Sequence, residues 1–89
     1  MSVAYRCLNT AEMLEIDGDM IILNPETFTV TKLNESGGEL WQLMREGRTE
    51  EELAEYLASQ HGGVPMEKIR EDVRHFIQNL QEIGLIRVE

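Results

Sequence analysis

Six apolar residues at helical spacing, Ile69, Val73, Phe76, Ile77, Leu80 and Ile83, commit the last third of the chain to one amphipathic helix. A helix with such a stripe is not stable alone in water, so the rest of the chain must cover it. Proline at position 65 predicts the start, because a proline in the first turn gives up no hydrogen bond. Gly84 predicts the end, and Leu85 to Val88 follow as a short strand or an extended tail. With 89 residues there is material for one domain, spanning 1–89, with one core and little room for a deep substrate cleft.

The first third supplies the covering layer. Met13, Leu14 and Ile16 lead into Asp17-Gly18, and Met20 to Leu23 follow. Asp-Gly between two apolar runs signals a two-residue hairpin turn. Asn24-Pro25-Glu26-Thr27 is a second turn, and Phe28 to Leu33 is rich in β-branched residues. Between this three-strand meander and the C-terminal helix the sequence predicts two more helices. Ser36 with Glu39 forms a capping box, with Asn34 as a competing cap, and Gly47 ends that helix in a left-handed position. Thr49 with Glu52 forms a second capping box, and Gly62-Gly63 closes the second helix. The expected fold class is α+β and winged-helix-like: a three-stranded antiparallel sheet followed by three helices.

Charge and composition narrow the function. Seventeen acidic against 8 basic side chains give a formal net charge of -9. That balance opposes nucleic-acid binding, which depends on Lys and Arg at phosphates, and it disfavours an anionic membrane surface. The longest tight apolar run, Met20 to Leu23, is far short of the roughly 20 residues of a membrane span. Cys7 is the sole cysteine, so there is no intrachain disulfide, and a cytoplasmic location is expected.

Catalytic constellations are missing. His61 and His75 are far apart in sequence, and neither sits in a close-spaced Cys/His pair of the kind that binds zinc. There is no phosphate-binding glycine loop followed by Lys and Ser or Thr. Gly37-Gly38 opens a helix, where an anion can bind, but Glu35 and Glu39 flank it. Neither a catalytic residue, a metal nor a cofactor is expected.

The segment Leu33-Asn34-Glu35-Ser36-Gly37-Gly38-Glu39-Leu40-Trp41-Gln42-Leu43 resembles the signature of the PqqD-like family. The resemblance continues through Gly47 to Leu53, Asp72 to Leu80 and the Gly84-Leu85-Ile86 ending, covering roughly Ile21 to Val88. It implies a winged-helix-like recognition element for ribosomally made, post-translationally modified peptides. Such an element is non-catalytic. It binds the leader of a precursor peptide as an added strand beside its third strand and against its third helix, and presents it to a leader peptidase, a cyclase or a radical-SAM enzyme. The chain lacks the Arg-Leu-rich N-terminal segment of the quinone-pathway branch and is more similar to the stand-alone lasso-peptide branch.

The residues agree with that mechanism. An exposed strand edge offers unpaired backbone groups that an incoming peptide can satisfy. Phe28, Thr29, Val30, Thr31 and Lys32 form the expected docking strand, with a single charge and no proline. Ile69, Val73 and Ile77 are the expected groove floor, and Arg70 and Arg74, with Lys68 nearby, an expected basic rim for acidic leader residues. The plainer alternatives are that Val73 and Ile77 belong to the core and that the arginines pair with Glu67 and Glu71. Two other functions compete. A winged-helix DNA-binding regulator needs a basic recognition helix, whereas the second helix carries Glu50, Glu51, Glu52 and Glu55. A generic protein-interaction or oligomerisation module differs from the leader adaptor only in its ligand.

Overall fold

The computed structural model describes residues 3–89. Strands β1 (Ala4–Cys7), β2 (Glu12–Ile16), β3 (Asp19–Asn24) and β4 (Thr29–Leu33) precede α1 (Glu35–Met44). Strand β5 (Arg48–Thr49), helices α2 (Glu50–Gln60) and α3 (Met66–Glu82) and strand β6 (Ile86–Val88) complete the chain. The expected meander is β2-β3-β4, antiparallel throughout. Asp17 and Gly18 both take positive φ, 51° and 85°, the geometry a two-residue hairpin demands.

A second three-stranded sheet, ordered β5-β1-β6, lies outside the expected meander. Strand β1 sits at its centre, pairing Tyr5 with Arg48 on one side and with Val88 on the other. The open alternative for Leu85 to Val88 is thus resolved as a strand from Ile86. Arg6 Nε donates to Glu89 at 2.8 Å, and its Nη1 donates to the Arg45 carbonyl at 3.0 Å. Together these bonds tie both chain ends to the C-terminus of α1.

The helix caps follow the sequence with one change. Asn34, not Ser36, caps α1, its side chain accepting from the Gly37 amide at 2.7 Å. The cap falls there because the chain leaves β4 at Leu33 and turns within one residue. Thr49 and Glu52 form the full reciprocal box on α2. Pro65 stands just before α3, at the N-cap, and Gly84 (φ 77°) follows its end.

One core joins the layers. Trp41, Met44, Leu53, Val73 and Leu85 are almost completely buried between the helices and the second sheet, and Ile22 seals the meander against them. Cys7 also belongs here. Burial pushes its thiol up to about 12, and it donates to the Trp41 carbonyl at 3.1 Å. Gly38 is required by close approach, since a Cβ there would lie 2.7 Å from Cγ of Met20. The Gly37-Gly38 pair is therefore a packing device between α1 and the meander. Among the described residues, no buried side-chain nitrogen or oxygen lacks a partner.

Candidate functional site: an open edge beside a helical groove

Strand β4 is hydrogen-bonded to β3 alone, so among the described residues its other edge is unpaired. Alternate backbone N–H and C=O groups from Thr29 to Leu33 therefore face outward without a ladder partner. Strand β2 also has a free edge, but it carries Glu12 and Glu15, whereas β4 carries only Lys32. The β4 edge is also the one that runs into a groove.

That groove begins where β4 ends. It encloses about 370 Å³ and is lined by residues of all three helices. Asn34, Ser36 and Gly37 form the wall next to β4. Ile69, Val73 and Phe76 of α3 form the far wall, with Leu40 and Leu57 beneath. Gly37 lets the two walls close up, since a Cβ there would lie 3.2 Å from the Phe76 ring and 3.4 Å from Leu33. The mouth is polar: His61 Nε2 and Ser36 Oγ are 3.4 Å apart, and Asp72 accepts from Lys68 Nζ at 2.8 Å. That contact to Asp72 raises the Lys68 pKa. An apolar floor with a few polar groups at its rim suits an apolar side chain held at a fixed depth.

The structure divides the sequence-predicted residues. Phe28, Thr29, Val30 and Lys32 are exposed along the open strand, and Thr31 is half-buried on its inner face. Ile69 and Val73 border the groove but are core residues, 4% and 0% exposed. Ile77 does not line it. At 3% exposure it is a core residue, because it lies further round α3, towards the packed interior.

The expected basic rim is not free. Arg70 is bound to Glu51 at 2.8 Å and Arg74 to Glu50 at 3.2 Å, so both guanidinium groups face the start of α2. They stand roughly a third of a turn around α3 from the groove-lining residues. The partners are not Glu67 and Glu71, because the acidic first turn of α2 is the nearer anion source. Lys32 is likewise paired, with Asp19 at 3.2 Å.

Sequence reasoning missed Asn34, Ser36, Gly37, Leu57, His61 and Asp72. A signal was present for the first three: a groove that continues a strand must be walled by the cap that follows it. Among the described residues no group of three or more His, Cys, Asp or Glu is placed to hold a metal, and no helix is long and apolar enough to cross a membrane.

An unpaired sheet edge opening into a groove under an amphipathic helix defines a small winged-helix-like α+β domain. The chain belongs to the PqqD family: the family model described as coenzyme PQQ synthesis protein D matches residues 19–86. That match contains the meander's last two strands, all three helices and the whole groove.

Two solved structures share the fold. One is TbiB1 in complex with the TbiA(beta) leader peptide, 23% identical, with a TM-score of 0.81 over 92% of this chain and 94% of that one. The other is a lasso peptide synthetase B1 complexed with the leader peptide, 19% identical, with a TM-score of 0.80 over 93% of this chain and 96% of that one. No curated protein matches the chain.

Proposed function

We propose that this chain is a non-catalytic adaptor for a ribosomally synthesised, post-translationally modified peptide. It binds the precursor leader as a fourth strand on β4 and presents it to modifying enzymes. The observation that carries this reading is the continuity of the open β4 edge with the groove at Asn34 and Phe76. Backbone pairing supplies sequence-tolerant affinity, and the groove selects leader side chains. Phe28 to Lys32 form the docking strand, and Ile69 and Val73 contribute the groove floor.

Membership of the PqqD family supports the reading, as do two structural relatives solved with leader peptides. Those relatives favour the lasso-peptide branch, where a leader peptidase and a cyclase are the enzymes served; a radical-SAM enzyme is the partner in other branches. Cytoplasmic action suits the buried, unpaired Cys7 thiol. DNA binding is disfavoured by the glutamates of α2 and by the engagement of Arg70 and Arg74.

Fluorescence-polarisation titration with the leader of a precursor peptide from the same organism tests the proposal, with a scrambled leader as control. Successive strand residues point their N–H groups to opposite sides. Val30→Pro and Thr31→Pro therefore remove one inward and one outward donor. The outward one is expected to weaken leader binding about tenfold or more while the fold, checked by circular dichroism, persists. Equal binding of the true and scrambled leaders would contradict the adaptor function.

A further inference from the structure

The basic side chains of this acidic chain are unevenly placed. Four of the 8, Arg6, Arg45, Arg48 and Arg87, lie in the β5-β1-β6 sheet or at the end of α1, with only two of the 17 acidic ones, Glu46 and Glu89. Ion pairing sharpens the contrast. Among the described residues, Arg6, Lys32, Arg48, Lys68, Arg70 and Arg74 each meet a carboxylate. Arg45 and Arg87 meet none, and both are exposed.

Strand register explains where they stand. Arg6 of β1 lies opposite Arg87 of β6, and the neighbouring pair, Cys7 and Ile86, is buried. Alternation therefore puts both arginines on the outer face of the sheet. Like charges directly opposite each other weaken a sheet. Arg6 is satisfied by Glu89 and by the Arg45 carbonyl. Arg45 has a structural role as well, since a cation at the C-cap of α1 suits the helix dipole. Arg87 has neither kind of compensation.

The backbone beside Arg87 is open. Strand β6 is bonded to β1 alone, so among the described residues its other edge is unpaired. Val88, two residues on from the buried Ile86 and on the same side of the strand, is 52% exposed. The edge thus offers backbone groups, a cation on one face and an apolar side chain on the other. An extended segment that alternates acidic and apolar residues meets all three. A charge on an edge strand also deters pairing, but selectively. Two copies joined edge to edge would set arginine against arginine, whereas an acidic strand is attracted. The β4 edge lacks this selectivity, because Lys32 is bound to Asp19.

We propose that the open edge of β6 is a second docking strand, which takes an acidic, extended segment of a partner protein with its carboxylates over Arg87 and Arg6. It belongs to a different sheet from β4 and does not rest on leader binding. The contact is electrostatic at an exposed surface, so it weakens as salt shortens the Debye length from about 10 Å at 0.1 M to about 3 Å at 1 M.

The test titrates a short end-blocked peptide alternating Glu and Val into the isotope-labelled intact chain, followed by amide NMR shifts. A Lys-Val peptide of the same length is the control. The Glu-Val peptide is expected to shift the amides of Ile86 to Val88, and the Lys-Val peptide to leave them in place. Arg87→Glu is expected to weaken Glu-Val binding about tenfold or more, with the circular dichroism spectrum of the parent chain. Arg87→Lys should keep most of the affinity, since the charge is retained. Unshifted β6 amides overturn the proposal and leave Arg87 as edge protection alone. Equal binding of the two peptides, parental affinity of Arg87→Glu, or shifts confined to β4 overturn it too.

Discussion

Helix α3 and the β2-β3-β4 meander treat their apolar residues in opposite ways. On α3, Ile69, Val73, Ile77 and Leu80 are all buried, and the opposite face is charged. On the meander Leu14, Ile16, Phe28 and Val30 stand in solvent, and β4 leaves a backbone edge open. Burial of these four side chains on α3 drives folding, each contributing about 1.5–3 kcal/mol. The outer apolar residues of the meander keep between 43% and 92% of their surface in solvent and gain much less from folding. The contrast places the packed core on α3 and the larger exposed apolar surface on the strands.

Truncation should separate the two regions most strongly. Ile77→Ala is expected to cost about 2–5 kcal/mol in urea unfolding, as large-to-small changes in a packed core do. Ile16→Ala should stay within about 0.5 kcal/mol, as surface changes usually do. Equal losses would show that the outer face is supported by packing after all.

Phe28→Gly turns the comparison round. Removing a bulky residue from a left-handed backbone position is expected to raise stability by about 1 kcal/mol, measured by the same denaturation. A loss of stability would mean that the exposed ring contributes to the fold.

The arginines provide the smallest expected effect. Arg70→Glu with Arg74→Glu breaks two exposed ion pairs with α2, each contributing about 0–1 kcal/mol and weakened by salt. Because both point away from the groove, leader affinity should fall only modestly and only at low ionic strength. A large salt-independent loss in leader titrations would return them to the site.

Local chemistry made much of this fold legible. Asp17-Gly18 specified the hairpin, Thr49 with Glu52 the start of α2, and the stripe from Ile69 to Leu80 the run of α3, whereas Ile83 falls at the C-cap and is exposed. The second sheet was not legible, because its strands are two to four residues long and their pairs join Ala4 to Thr49 and Tyr5 to Val88. Segments that short carry no periodicity to read. The open strand was legible as a run with one charge and no proline. The groove was only half legible, since its walls come from three helices whose mutual approach depends on Gly37 meeting Phe76. The ion-pair partners of Arg70 and Arg74 depend on the docking of α2 against α3, which spacing within one helix does not reveal.

Strand addition on β4 is tested most directly by amide hydrogen exchange with and without the leader of a precursor peptide from the same organism. Outward-facing amides between Thr29 and Leu33 are expected to gain protection on leader binding, while those of Glu12 to Ile16 and Ile86 to Val88 keep their free-state rates. Unchanged exchange along β4 with protection gained at another strand edge would contradict the account.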